Sequence, residues 1–237
     1  MDYFSKSFEG KVGVVSGAGQ GQGKAVIKLL LESGARVVAF SRSGNKPDLK
    51  HDNLRTLKGD SSDVTSLKVV RDFIGHEFGT LDFLYNNHGL FALHSTEFNG
   101  DTAVEFYKRN VVSSINTIET FHPLMNKGGS IVNVGASPVL YRLSSLEYAV
   151  SKSAVVEMTK KMASILRPKN IRVNALMPGN VDSSKEIEEI APFNFKKLDG
   201  KREVTTLEIA YTALFLLSDL SYGINGQAIN VDAATGL

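Results

Sequence analysis

Short apolar, β-branched runs alternate along the chain with longer amphipathic stretches. The runs Val12–Ser16, Arg36–Phe40, Leu54–Leu57, Leu81–Tyr85, Ile131–Val134, Arg172–Leu176 and Ala228–Val231 predict strands. Several are apolar on both faces, as strands covered by helices on either side must be. Between them, apolar residues recur at helical spacing over Lys24–Ser33, Thr65–Phe78, Thr102–Phe121, Leu146–Leu166 and Thr206–Ser218. The last of these follows Thr205-Thr206-Leu207-Glu208, a pair of overlapping helix-start signals. Alternation of strand and helix this regular reads as a doubly wound α/β sheet. No internal repeat and no Pro/Gly/Ser linker divides the pattern, so one domain over residues 1–237 is expected. Two stretches interrupt the rhythm. Ser43–Asn53 is polar and predicts a surface loop. Val181–Arg202 begins after Pro178-Gly179 and mixes acidic, aromatic and basic residues. It lies beyond the carboxyl end of a strand, where open α/β sheets carry their ligand loops, and is expected to be a substrate-binding flap.

Composition narrows the function classes. With 42% hydrophobic and 22% charged residues the chain can bury a sizeable core. Lys and Arg total 27 against 25 Asp and Glu, a net charge of +2, which removes the electrostatic case for a nucleic-acid partner. The chain has no cysteine, hence no disulfide, thiol nucleophile or zinc–thiolate site. Met1 to Gly10 lacks the apolar centre of a signal peptide, and no apolar run approaches the ~18 residues that span a bilayer. A soluble, cytoplasmic protein without a membrane partner is expected. The five histidines, His51, His76, His88, His94 and His122, show no metal-ligand spacing, and no G-x-S-x-G elbow is present, so no metal site and no serine hydrolase is predicted.

After the first predicted strand comes Ser16-Gly17-Ala18-Gly19-Gln20-Gly21-Gln22-Gly23, then helix. Glycines permit a sharp turn with positive φ and leave room for a pyrophosphate at the helix N-terminus, where free N–H groups favour an anion. The spacing fits Gly17-x-x-x-Gly21-x-Gly23 better than G-x-G-x-x-G. The second strand ends Ala39-Phe40-Ser41-Arg42, with no carboxylate to hold a ribose 2′-hydroxyl. Arg42 and Ser41 there suit a 2′-phosphate, which favours NADP(H) over NAD(H). Tyr148 and Lys152 stand at i and i+4, on one face of the Leu146–Leu166 helix. A cation beside a phenol lowers its pKa from about 10 and brings it within range of acid/base work on a carbonyl that receives hydride.

Taken together these motifs resemble the short-chain dehydrogenase/reductase family in its compact single-domain form. The resemblance runs from Lys11 to Asp232 and implies a Rossmann fold: a seven-stranded, mostly parallel sheet with helices on both faces. It implies that Asp60, followed by Ser61, contacts adenine. Asn86-Asn87-His88-Gly89 resembles the element that steadies the central sheet beside the cofactor. Asn110 matches the asparagine that supports a proton relay, Tyr148 and Lys152 match the catalytic pair, and the lysine also holds the nicotinamide ribose. Pro178-Gly179-Asn180-Val181-Asp182-Ser183 resembles the segment that meets the nicotinamide carboxamide, and Ile224–Asp232 the closing strand.

The sequence departs from the family pattern at three places. Gln22 stands in the glycine turn where the family has an apolar residue. His88 replaces an alanine, either as bulk packed beside the sheet or as a cofactor contact. The family's serine, about a dozen residues before the tyrosine, has no counterpart at Gly135 or Ala136, and the nearest hydroxyl is Ser137. Ser137 is expected to fill that role through a bulge or shortened loop. Phe91, Tyr141, Phe193 and Phe195 could line an apolar substrate wall. The implied activity is hydride transfer between NADP(H) and a secondary alcohol or ketone, such as a 3-oxoacyl, sugar or small carbonyl substrate. The implied assembly is a homo-oligomer, tetramer or dimer, built on the Thr102–Phe121 and Leu146–Leu166 helices. The competing reading is a nucleotide-binding sensor of the same fold, against which stands the retention of Tyr148, Lys152 and Asn110 together.

Overall fold

The structure, a computed structural model, describes residues 7–19, 21–44, 47–182 and 203–234. Seven parallel strands form one sheet: β1 (Val12–Ser16), β2 (Arg36–Ser41), β3 (Leu54–Lys58), β4 (Leu81–Asn86), β5 (Met125–Val134), β6 (Arg172–Pro178) and, closing it, β9 (Ala228–Val231). Their order is β3-β2-β1-β4-β5-β6-β9, and every pairing is parallel. The order reverses between β1 and β4, which opens a crevice at the carboxyl ends of those strands.

Alternate residues of each strand face two separate cores, as the period of two requires. Val15, Val37, Ala39, Tyr85, Val132 and Leu176 pack under helices α1 (Gly21–Glu32) and α7 (Thr206–Leu217). Val14, Val38, Phe40, Leu84, Ile131 and Val173 pack on the other face under α2 (Val64–Glu77), α4 (Ser113–Phe121) and α6 (Leu146–Leu166). Helix α7 starts at the expected capping box: the Glu208 N–H donates to Thr205 Oγ1 and the Thr205 N–H donates to Glu208 Oε2. Among the described residues no helix is long and apolar enough to cross a membrane.

Two predicted elements came out differently. The single helix expected over Thr102–Phe121 is α3 (Gly100–Tyr107), a π-helical turn over Lys108–Val112, and α4. Such a turn widens the helix by one residue and leaves carbonyls to be satisfied by other donors. The hydroxyls of Ser113 and Ser114 supply them, donating to the carbonyls of Arg109 (2.6 Å) and Asn110 (3.3 Å). The second difference is short elements that periodicity cannot register: α5 (Pro138–Tyr141), and a two-stranded parallel pair of β7 (Val181–Asp182) with β8 (Val204–Thr205). From Ser183 to Arg202 the expected flap lies outside the described residues, Phe193 and Phe195 included.

Where β4 and β5 end, a buried polar chain fixes the crevice floor. Asn86 Nδ2 donates to Asn133 Oδ1 (2.9 Å), Asn133 Nδ2 to Thr159 Oγ1 (3.1 Å), and Thr117 Oγ1 to Asn86 Oδ1 (2.8 Å). The two strand ends are thereby tied to α4 and α6. Each amide in the chain both donates and accepts, so its burial is compensated.

Candidate active site

The glycine turn is shaped by contact with the loop after β4. Gly17 has φ +65°, and a Cβ there would lie 2.9 Å from the Asn87 carbonyl and the His88 nitrogen. A Cβ on Gly23 would lie 2.6 Å from the Gly17 oxygen and 2.7 Å from Asn87 Nδ2. Neither position admits a side chain without moving backbone. Asn87 Nδ2 donates to the Gly17 oxygen (2.9 Å), and the Asn87 N–H donates to Ser16 Oγ (3.2 Å). Helix α1 begins at Gly21, so its free N–H groups face the crevice. Gln22 Oε1 and Asn87 Oδ1 are buried acceptors with no hydrogen-bond partner among the described residues. Both residues line the crevice, so a bound ligand carrying hydroxyl donors would relieve that cost. Gly19 belongs to this turn; Gln20 lies outside the described residues.

On the β2–β3 side the crevice deepens into a cavity of about 260 Å³, lined among others by Ser41, Arg42, Asp60, Ser61, His88 and Arg109. Asp60 Oδ1 accepts from the Ser62 N–H (2.9 Å) and hydroxyl (2.7 Å), and Oδ2 faces Arg109 Nη1 at 3.5 Å. Burial works to raise the Asp60 pKa, but the bonds from Ser62 and the charges of Arg109 and Arg42 together hold it below the usual carboxylate range.

On the β5–β6 side lies a wider cleft of about 570 Å³, whose walls include Phe91, Leu140, Tyr148, Lys152, Pro178 and Val181. Gly89 and Gly179 line it too. Ser145 caps α6, its hydroxyl accepting the Tyr148 N–H (3.3 Å), so Tyr148 and Lys152 share the first turns of the helix. Tyr148 is nearly enclosed: its ring packs with Ala136 and Phe106, and Phe91 meets it edge-on at 5.0 Å. Burial first, and then the neighbouring Tyr141 phenol, push its pKa above the ordinary value of 10. The lowering expected from Lys152 is therefore not what governs the phenol. Lys152 Nζ donates instead to the Val134 carbonyl (2.8 Å), and burial brings its pKa down to about 8. Asn110, on the π turn, braces the loop between the two cavities. Its Oδ1 accepts the Leu90 N–H (2.7 Å), and its Nδ2 donates to the Leu90 carbonyl (3.2 Å) and to Ser151 Oγ (2.8 Å). A Cβ on Gly89 would meet Asn110 Oδ1 at 2.8 Å and Lys152 Nζ at 3.2 Å, so glycine lets the loop after β4, the π turn and α6 close together here.

Ser137 is fully buried behind this cleft and does not reach its wall. It caps α5 and donates to the Asp232 carboxylate in a short hydrogen bond. A Cβ on Gly135, in register with the expected serine, would lie 2.3 Å from Met177 Sδ, so a side chain there requires the methionine to move. Ala136 is fully buried against Tyr148. The shortened turn thus presents a methyl group, not a hydroxyl, beside the phenol. His88 reaches between β1 and α4: Nδ1 lies 2.6 Å from Ser16 Oγ and Nε2 3.3 Å from Ser114 Oγ. Burial, helped by the Lys152 charge and opposed by Asp60, lowers its pKa to about 3, so the ring is neutral. Both readings of His88 hold geometrically, because the residue packs beside the sheet and also lines both cavities.

The family model described as Enoyl-(Acyl carrier protein) reductase matches residues 17–234. The chain belongs to the short-chain dehydrogenase/reductase family. It is 31% identical to the 3-oxoacyl-[acyl-carrier-protein] reductase FabG of Thermotoga maritima, over 94% of this chain and 97% of that protein. It is 30% identical to the 3alpha-hydroxysteroid dehydrogenase of Mediterraneibacter gnavus, over 94% and 96%. Its structure matches a short-chain dehydrogenase/reductase from Serratia marcescens with a TM-score of 0.80 at 29% identity, covering 98% of this chain and 100% of that one. As a short-chain dehydrogenase/reductase the protein is an NAD(P)-dependent oxidoreductase acting on CH–OH or C=O groups.

Of the expected residues, Gly17, Gly21, Gln22, Ser41, Arg42, Asp60, Ser61, Asn87, His88, Gly89, Tyr148, Lys152, Pro178, Gly179 and Val181 line the two cavities; Gly19, Gly23, Asn110 and Ser137 are not among the wall residues, and Gln20 and Ser183 lie outside the described residues. Arg109 and Ser62 also face the crevice without a signal in the sequence, while Phe91 lines the cleft as the apolar wall expected of it. Arg109 and Ser62 stand 47 residues apart in the chain, and no local spacing encodes their contact.

Proposed function

We propose that this short-chain dehydrogenase/reductase is an NADP(H)-preferring carbonyl reductase. The observation that carries the reaction is Tyr148 enclosed by Ala136, Phe106 and Phe91 on the cleft wall, one helical turn from Lys152. The residues fit the cofactor: the Gly17–Gly23 turn and the α1 N-terminus suit its pyrophosphate, and the orphaned acceptors of Gln22 and Asn87 suit hydroxyl donors. Arg42 and Ser41, lining the cavity at the end of β2 where that strand offers no carboxylate, support a 2′-phosphate there. Bound in this way, the nicotinamide supplies or accepts the hydride.

Tyr148 holds the proton that the carbonyl oxygen receives. A phenol with a raised pKa is protonated across the physiological range, which is the form reduction requires. Alcohol oxidation needs the phenolate and therefore gains as pH rises. Lys152 brings a positive charge beneath the site while it is protonated, up to about pH 8. Asn110 keeps the Leu90 loop against α6 and so fixes the floor of the cleft. Ser137, held by Asp232, takes no part in the carbonyl contact.

Phe91, Leu90 and Leu140 around Tyr148 favour a ketone with an apolar flank over a sugar. The relatives named for 3-oxoacyl and hydroxysteroid substrates are compatible with that class. Val104 and Tyr107 on α3, with Leu146 and Val150 on α6, form an exposed apolar face that suits pairing with further copies of the chain, as in a homotetramer. A cytoplasmic location agrees with the lack of a membrane-crossing helix among the described residues. The test is titration with NADPH and NADH, then a panel of apolar ketones followed at the nicotinamide absorbance. Tighter NADPH binding with ketone turnover is expected. Equal affinity overturns the cofactor preference, and binding without turnover on any ketone overturns the reductase in favour of a sensor.

A further inference from the structure

His88 stands where the two cavities meet and lines both, and the proposed chemistry gives it no task. Its two ring nitrogens are both engaged, and the hydrogen bonds around them fix its tautomer. Ser16 Oγ already accepts the Asn87 N–H (3.2 Å). Its own hydrogen goes to the nearer of two acceptors, His88 Nδ1 at 2.6 Å rather than the Tyr85 carbonyl at 3.4 Å. Nδ1 is then bare and Nε2 carries the hydrogen. Nε2–H donates to Ser114 Oγ (3.3 Å), which leaves the Ser114 hydroxyl to donate to the Asn110 carbonyl (3.3 Å). Burial keeps the ring neutral, the charge state in which an imidazole both accepts and donates.

The chain of bonds therefore runs one way, from the Asn87 N–H through Ser16, His88 and Ser114 to the carbonyl of Asn110. Its ends belong to different halves of the crevice. Ser16 precedes Gly17, which opens the glycine turn with φ +65°, and Asn87 Nδ2 holds the Gly17 oxygen. Asn110, on the π turn, holds Leu90 and also Ser151, the neighbour of Lys152 on α6. Ser16 and Ser114 are 0% and 3% exposed, so neither hydroxyl can trade its bond to the ring for one to bulk water. An alanine at position 88 would leave the two hydroxyls with nothing between them.

We infer that His88 is a positioning residue: the Ser16–His88–Ser114 strut sets the glycine turn against the helix that carries Tyr148, and with it the approach of the hydride to the carbonyl carbon. The inference rests on the reductase reading of the cleft.

One arm of the test needs neither cofactor nor turnover. Nitrogen-15 imidazole spectra of the protein alone, with His88 assigned by its loss in His88→Gln, should show Nε2 protonated and Nδ1 bare at neutral pH. The opposite tautomer overturns the strut. The other arm measures NADPH affinity and single-turnover reduction of acetophenone, 2-octanone and ethyl acetoacetate. Wild type is compared with His88→Ala, His88→Gln, Ser114→Ala and the double variant His88→Ala/Ser114→Ala. His88→Ala should lower the single-turnover rate constant by about 10- to 100-fold, with NADPH affinity within about threefold of wild type. A merely structural role would reduce the amplitude and the melting temperature and leave the rate constant alone. Ser114→Ala, which removes the far end of the strut, should lose a similar factor, and the double variant no more than either single one. His88→Gln, which can still accept and donate, should recover part of the rate. Should His88→Ala fail to fold, Ser114→Ala and His88→Gln carry the same expectations. The inference is overturned if the rate constants are unchanged, if NADPH binding weakens without slower transfer, or if the two single losses multiply. A wild type that reduces none of the three ketones removes the reductase reading, and the inference with it, whatever the tautomer.

Discussion

In the β2–β3 cavity the charges of Asp60 and Arg109 are paired: Asp60 with Ser62 and Arg109, Arg109 with Glu105. In the β5–β6 cleft the two reactive groups are set among apolar ones. Tyr148 is walled by Ala136, Phe106 and Phe91, and buried Lys152 donates to the Val134 carbonyl. Charge on Asp60 and Arg109 is stabilised in advance, which lowers the first pKa and raises the second. In the second, burial acts unopposed, raising the phenol and lowering the amine. A rigid, paired site suits recognition, where geometry must not depend on pH. A desolvated, unpaired site suits proton transfer, where the groups must change charge during the reaction.

The largest effect that separates the regions is at Lys152. Reduction by the wild type should fall as pH rises through about 8, where the ammonium is lost. Lys152→Met should lower kcat by about 10²-fold or more and abolish that limb of the pH–rate profile. Adenosine-side contacts should not respond to pH in the same interval.

A smaller and more discriminating effect concerns Ser137. Ser137→Ala removes a hydrogen bond to a carboxylate and a helix cap, so the unfolding free energy should drop by about 1–3 kcal/mol in a denaturant melt. Steady-state kcat should stay within about threefold of wild type. A loss of 10²-fold or more at unchanged stability would return Ser137 to the carbonyl.

His88 gives a comparable shift in stability, visible only in acid. Its folded pKa is about 3 against an ordinary 6.5, so between those values the unfolded chain binds a proton that the folded chain does not. Its contribution is fully present above pH 6.5 and is lost progressively as pH falls toward 3. His88→Asn should therefore show a smaller drop in Tm from pH 7 to pH 4 than wild type.

The smallest effect lies just beyond the closing strand β9. Ala233 and Ala234 have φ of 52° and 57°, the left-handed region that an alanine enters at a cost. Ala234→Gly should raise stability by about 0.5–1 kcal/mol, read as a modest increase in Tm.

These contrasts also explain what could be read from the chain alone. The strands were legible because burial on both faces leaves unbroken apolar runs, and the glycine turn because Gly17 and Gly23 are demanded by close backbone contact. The Tyr148–Lys152 pair was legible because helical spacing is local. The direction of the tyrosine shift was not, since it depends on Ala136, Phe106 and Phe91 arriving from three other segments. Ser137 looked available because a sequence shows a hydroxyl near the right position but not the Asp232 carboxylate, from the far end of the chain, that holds it. The π turn escaped because its apolar pattern is still helical, and with it went the aim of Arg109.

The most direct test of the account is Tyr148→Phe, measured for NADPH affinity and for single-turnover ketone reduction in the same preparation. Phenylalanine fits the apolar pocket around the ring, so the fold and cofactor binding should be kept. The account predicts unchanged NADPH affinity and a rate lowered by about 10²- to 10⁴-fold. A variant that binds NADPH and reduces ketone at close to the wild-type rate would contradict it.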